Sequence, residues 1–132
     1  MKKDARILAV DDSSTNIFLI EGVLGNEGYQ IQTAYNAKDA MDMIKQVTPD
    51  LILLDLMMPQ INGYKLLEQI RLLEQTKKTP VIIISAKKEQ EDIDRAMELG
   101  ATDFINKPVN IQKLIDKVDF LLEQVSDGNE NS

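Results

Sequence analysis

The sequence predicts an α/β domain built on a five-stranded, doubly wound parallel sheet. Short aliphatic or β-branched runs alternate five times with helical stretches. Ile7–Val10, Leu51–Leu54 and Val81–Ile84 are apolar throughout, as strands covered on both faces must be. The connections between runs are short, which in a parallel sheet implies right-handed crossovers.

The elements follow in order. Arg6–Val10 is the first strand. Ser13–Glu27 is a helix that starts with Ser/Thr/Asn capping chemistry and stops at Gly28, a residue suited to the position after a helix end. Gln30–Ala34 is a thin, polar strand, as expected at the outside of a sheet. Ala37–Val47 carries a helical stripe at Ala37, Ala40, Met41, Ile44 and Val47. Leu51–Leu54 is the third strand. Tyr64–Gln75 repeats the stripe with Leu66, Leu67, Ile70 and Leu73. Pro80–Ile84 is the fourth strand. Glu89–Leu99 begins acidic, which favours the positive end of the helix dipole, and stops at Gly100. Thr102–Ile105 is the last strand, and Asn110–Val125 the last helix. The domain is thus expected over residues 1–125, with 126–132 a polar tail or the start of a linker.

Composition narrows the chemistry. A chain of 132 residues, 43% hydrophobic and 28% charged, matches a single globular domain. A formal net charge of -7 argues against nucleic-acid binding by this chain itself, because phosphate backbones need a basic face. With neither cysteine nor histidine, disulfides, thiolate metal sites and Ser-His catalysis drop out. Met1-Lys2-Lys3 faintly resembles the start of a signal peptide. The apolar run behind it is too short and ends in two aspartates. No segment is long enough to cross a membrane, so a cytoplasmic location is expected.

Reactive side chains stand just past successive strand ends, the edge where parallel α/β sheets build their sites. Asp11-Asp12 follows the first strand, Asp55 the third, Ser85 the fourth and Lys107-Pro108 the fifth. Three carboxylates, a hydroxyl and an ammonium in one place suggest a divalent cation and a phosphoryl group. Adjacent carboxylates repel unless a cation is near, and magnesium needs few of them because it keeps waters. Either Asp11 or Asp12 alone reads more readily as a helix cap, and Asp55 after the next central strand shifts the balance. Asp55 alone reads as a strand-end turn residue, but beside a cation a carboxylate is a potential nucleophile. The Met57 carbonyl is placed by sequence to complete a metal shell, and Pro59 and Gly63 make a stiff, then permissive, loop. Ser85 has a hydroxyl to donate to a phosphoryl oxygen, although a small polar residue also simply ends a strand. Lys107 precedes a proline whose bond can be cis, and an ammonium there would neutralise charge on the transferred group.

From about Ala5 to Val125 the chain resembles a bacterial response-regulator receiver domain of the CheY-like family. The resemblance is carried by Asp11-Asp12, Asp55 within Leu-Leu-Asp-Leu-Met-Met-Pro, Gly63, Ser85-Ala86, Gly100-Ala101, Phe104 and Lys107-Pro108. It implies a (βα)5, flavodoxin-like fold and a two-component phosphorelay. Asp55 would accept a phosphoryl group from a histidine kinase or a histidine phosphotransfer protein. Mg²⁺ would be held by Asp11, Asp12, Asp55 and the Met57 carbonyl, while Ser85 and Lys107 contact the phosphoryl oxygens. Such a domain catalyses only its own phosphorylation and dephosphorylation. Ser85 and Phe104 would form the switch. Many relatives have Tyr at the Phe104 position, and a phenyl ring lacks that hydroxyl.

The main rival is a Mg²⁺-dependent phosphatase of the haloacid-dehalogenase type, which also uses an Asp nucleophile. It needs a second Asp two residues later, where this chain has Met57, and a cap domain. A flavodoxin-like nucleotide-binding module would want a phosphate loop after the first strand, where two carboxylates stand instead. The output is an unidentified protein or attached domain. Dimerisation through the fourth-helix, fifth-strand and fifth-helix face is matched only in part, by Asp103 and Lys117 but with Ile93 in place of a basic residue. A monomer is expected, with dimerisation on phosphorylation left open. On the first helix, Leu19, Ile20, Val23 and Leu24 are expected to face the core. That leaves Ile17 and Phe18 on the solvent side, as a docking point for the phosphodonor's two-helix stem.

Overall fold

Aliphatic side chains cover both faces of β1 (Arg6–Val10), β3 (Leu51–Leu54) and β4 (Val81–Ser85), which therefore sit inside the sheet. The more polar β2 (Gln30–Ala34) and β5 (Asp103–Asn106) take its edges. In the computed structural model, which describes residues 4–57, 62–86 and 89–130 (backbone only from 124), the strand order is β2-β1-β3-β4-β5, all parallel. This is the doubly wound sheet that the sequence predicts.

Side-chain alternation divides the core in two. Leu8, Val10, Ile52, Leu54, Val81 and Ile83 point to one face. There they meet Ala40 and Ile44 of α2 (Ala37–Gln46), Leu66, Leu67 and Ile70 of α3 (Gly63–Leu72), and Ala96 of α4 (Gln90–Glu98). Ile7, Ala9, Leu51, Leu53, Ile82 and Ile84 point to the other face. They meet α1 (Ser14–Asn26) and α5 (Ile111–Glu130) through Ile17, Ile20, Leu24, Leu114, Val118 and Leu122.

Side-chain caps fix most helix starts. Ser13, Asn36 and Asn62 each accept a backbone N–H at the head of α1, α2 and α3, and Asn110 does so for α5 at 2.9 Å. Glu89, at the head of α4, makes no such bond. Gly28 has φ 101°, which leaves it free to turn the chain out of α1. Gly63 is needed for closeness instead: a Cβ there would lie 2.5 Å from Leu56 Cα and 2.8 Å from the Asp55 carbonyl oxygen. The expected stiff position, Pro59, lies outside the described residues, as do Met1–Lys3.

The structure corrects several expectations. The buried stripe of α1 is Ile17, Ile20 and Leu24, spaced i, i+3, i+7, while Leu19 is exposed and Val23 half-buried. Ile17 therefore belongs to the core. β4 starts at Val81 because Pro80 has no N–H for the ladder, although its carbonyl accepts from Ile52 N–H at 2.9 Å. In β5, Thr102 is replaced by Asn106, which pairs with Ser85, and the Thr102 hydroxyl instead accepts from Val81 N–H at 2.9 Å. The α5 backbone stays helical through Glu130, past the expected end at Val125, because Ser126–Glu130 contains no proline and extension of a formed helix is easy.

At the amino-terminal edge of the sheet, Arg71 at the end of α3 donates to the carbonyls of Gly100 (2.9 Å), Thr76 (2.9 Å) and Thr79 (2.7 Å). Its planar fork thus joins α3, the loop into β4 and the turn after α4. Gly100 has φ +107°, and a Cβ there would also press on the Arg71 side chain at 3.0 Å.

Candidate functional site

Three backbone bonds place the reactive groups. Asp11 N–H donates to the Ala34 carbonyl (3.1 Å), Asp55 N–H to the Val10 carbonyl (2.9 Å) and Lys107 N–H to the Ser85 carbonyl (2.9 Å). Each continues the parallel ladder by one step past a strand end, so all these side chains emerge from the same edge. Asp11 and Asp55 are each 3% exposed, Ser85 is fully buried and Asp12 is exposed. The Lys107–Pro108 peptide bond is cis.

The buried carboxylates share one ammonium. Lys107 Nζ lies 3.2 Å from Asp11 Oδ2 and 3.3 Å from Asp55 Oδ2. Asp11 Oδ1 accepts from Ser13 N–H at 2.9 Å, and Asp11 Oδ2 also accepts from Asn16 Nδ2 at 3.4 Å. Asp55 Oδ1 accepts from Met57 N–H at 3.1 Å. Burial pushes the Asp55 carboxyl above its ordinary range. The Met57 N–H opposes this, the Asp11 charge adds to it, and Lys107 opposes it in turn. The helix-cap alternative for the aspartates does not hold, because Ser13 caps α1 by accepting from Asn16 N–H at 3.3 Å.

Oxygens of Asp11, Asp12 and Asp55 all lie within 4.8 Å of one another. Three carboxylates against one ammonium leave a negative site made of hard oxygen donors, which fits a small divalent cation such as Mg²⁺. Ser85 and Lys107 stand at the ends of adjacent strands beside it. Phe104 is half-buried and packs against the α2–α3–α4 side of the core. Met57 is exposed and forms an isolated bridge with Asn62. Asp103 and Lys117 form an ion pair at 2.7 Å, and Ile93 is half-buried.

Phe18 is 79% exposed, as expected, but Ile17 does not accompany it. Phe18 instead borders an apolar groove between α1 and α5, with Leu19, Gly22, Val23, Ile111 and Ile115. Ile115 also packs against the α1–α5 side of the core. Ile111 is 45% exposed because it stands in the first turn, beyond the sheet. Asn16 was also missed, and its only signal was its place one turn after Ser13.

Residues 7–119 match the family model described as response regulator receiver domain. The chain is 34% identical over 118 residues to the protein PilH of Pseudomonas aeruginosa, covering 89% of this chain and 98% of that one. It is 37% identical over 124 residues to the response regulator ArlR of Staphylococcus saprophyticus, covering 94% of this chain and 55% of that one. The chain thus spans about half the length of ArlR. The structure is similar to that of the chemotaxis protein CheY4 of Vibrio cholerae, with a TM-score of 0.86, 27% identity, and coverage of 89% of this chain and 98% of that one. None of these similarities points to a phosphatase of the dehalogenase type, and Met57 occupies the place of the second Asp that such an enzyme needs.

Proposed function

The chain belongs to the response regulator receiver domain family, and on that premise we propose that Asp55 is its phosphoacceptor. It is a signalling domain of two-component systems. The observation that carries the assignment is a buried carboxylate sharing the Lys107 ammonium with Asp11 at the carboxyl edge of the sheet.

Asp11, Asp12 and Asp55, with the Met57 carbonyl, would hold Mg²⁺, which supplies charge neutralisation on the phosphoryl oxygens when bound. An Asp55 oxygen attacks phosphorus. The bond from phosphorus to the donor nitrogen breaks, and its electron pair leaves with the donor. Lys107 then pairs with a phosphoryl oxygen, and the Ser85 hydroxyl donates to another. The movement at Ser85 is followed by Phe104, a shift between two packings driven by one local charge change.

The donor is a histidine kinase or a histidine phosphotransfer protein, and the exposed Phe18 on α1 is its docking point. Output passes through the α4–β5–α5 face to a partner or an attached domain. The domain spans residues 1–125. The chain has no segment expected to cross a membrane, and no described helix is long and apolar enough to do so.

Acetyl phosphate with Mg²⁺, followed by intact mass and site mapping, tests the assignment. One phosphate is expected on the wild type and none on Asp55→Asn. Modification of another aspartate in that variant refutes it.

A further inference from the structure

Helix α4 is held to the molecule more weakly than its neighbours. It is nine residues long, has no side-chain N-cap bond, and buries a single residue, Ala96. A helix this short has little stability of its own in water. Its first turn nevertheless has a specific attachment from α3. The Tyr64 ring is 4% exposed, and its hydroxyl lies 3.3 Å from both the carbonyl and the Oδ1 of Asp92, where it donates. The Arg95 guanidinium stacks over the same ring, 4.1 Å from its centroid. Tyr64 itself cannot drift. Its N–H is held by Asn62 Oδ1 at 2.8 Å, and Gly63 beside it packs against Leu56 Cα and the Asp55 carbonyl.

We propose that Tyr64 is a positioning residue that clasps the first turn of α4, through Asp92 and Arg95, and holds the helix in its resting place. The clasp gives the segment around Asp55 a second mechanical route to α4, separate from Ser85 and Phe104. Tyr64 and Ala96 share one core cluster, and Phe104 packs against it, so the two routes converge on the same packing. The inference rests on the reading of α4 as part of the output face. Releasing the clasp loosens α4 and moves the resting population toward the phosphorylated arrangement.

Tyr64→Phe keeps the ring and removes the hydroxyl. Amide hydrogen exchange of the metal-free protein is the first measurement. Amides of Ile93 to Met97 should exchange about tenfold faster than in the wild type, while those of Leu53 and Ile83 in the sheet stay unchanged. Acceleration of sheet and helix alike, or none in either, overturns the proposal. The second measurement is the NMR shift change at Ile93 and Phe104 on adding beryllofluoride with Mg²⁺. In Tyr64→Phe the resting shifts should already lie part-way along the wild-type path, and the remaining change should be smaller. Full-length travel from the wild-type starting point overturns it. A wild type that ignores beryllofluoride would refute the phosphoacceptor reading, while the exchange experiment still decides the clasp. Should Tyr64→Phe fail to fold, Arg95→Ala on the exposed side of α4 must reproduce the local acceleration, and its failure to do so counts equally against the clasp.

Discussion

Asp55 is buried and close to a second carboxylate, so ionising it costs stability until a cation binds. Its folded proton affinity is raised by burial, so metal-free stability falls as pH rises from the unfolded carboxyl value through the folded one, and then levels off. Asp55→Asn lacks this loss. In chelator, its Tm at pH 7 should exceed the wild type by roughly 3–5 °C, and the gap should close below about pH 4. Mg²⁺ should reverse the order, which thermal scans at two pH values with and without metal will reveal. Lys107 holds the two oxygens that the proposed Mg²⁺ would also need. Lys107→Met should bind Mg²⁺ about fivefold more tightly by calorimetry, yet lose about 100-fold in phosphorylation rate from acetyl phosphate. Asp11, Asp12, Asp55, Ser85 and Lys107 were legible because each follows a run of strand residues, so topology alone brings them to one edge. The share that Ser13 and Asn16 take in holding Asp11 was not legible, because two short polar residues at a helix start look like ordinary capping.

Helix α1 shows where periodicity runs out. Five apolar positions within seven, Ile17, Phe18, Leu19, Ile20 and Val23 with Glu21 and Gly22 between them, admit two rotations about the helix axis. The reading with Leu19 and Val23 inward was plausible in pattern. Packing selects Ile17, Ile20 and Leu24 instead, because these three line up over β1 and β3 on the α1–α5 side of the core. Phe18 is left outward under either rotation, and its exposure beside the apolar groove makes it the better anchor. Phe18→Ala should slow transfer from a phosphorylated histidine protein about tenfold or more, with little change in transfer from acetyl phosphate, which needs no docking. Stopped-flow or gel-based transfer assays with both donors separate the two. Equal losses would place Phe18 in the fold rather than the encounter. Element ends were less legible than element identities. Pro80 and Thr102 shift two strands by one residue, through a missing N–H and a side-chain bond that no hydropathy pattern records.

At the scale of the whole molecule, the parallel sheet and the outer place of β2 could be read because β1, β3 and β4 are apolar on both faces and β2 is not. What could not be read were ties between residues far apart in sequence that carry no hydrophobic signature. Arg71 is the clearest of them, a surface-type residue whose Gly100 partner, 29 residues away, becomes a neighbour only after folding. Its grip on Gly100 makes the two ends of α4 unequal. The carboxyl end is tied to the base of the sheet, while the amino end is met by the Tyr64 hydroxyl and, through Arg95, by the Tyr64 ring. Displacement of such a helix would swing it about Gly100, as a cantilever, rather than slide it along its axis. On addition of beryllofluoride with Mg²⁺, amide shift changes should therefore be largest near Asp92 and taper toward Leu99, and a uniform change along the helix would contradict this. Arg71→Ala would free the anchored end, and the taper should flatten. A partner reading this face would then meet an angular displacement whose arc is set far from the phosphoryl group, by an arginine at the opposite pole of the protein.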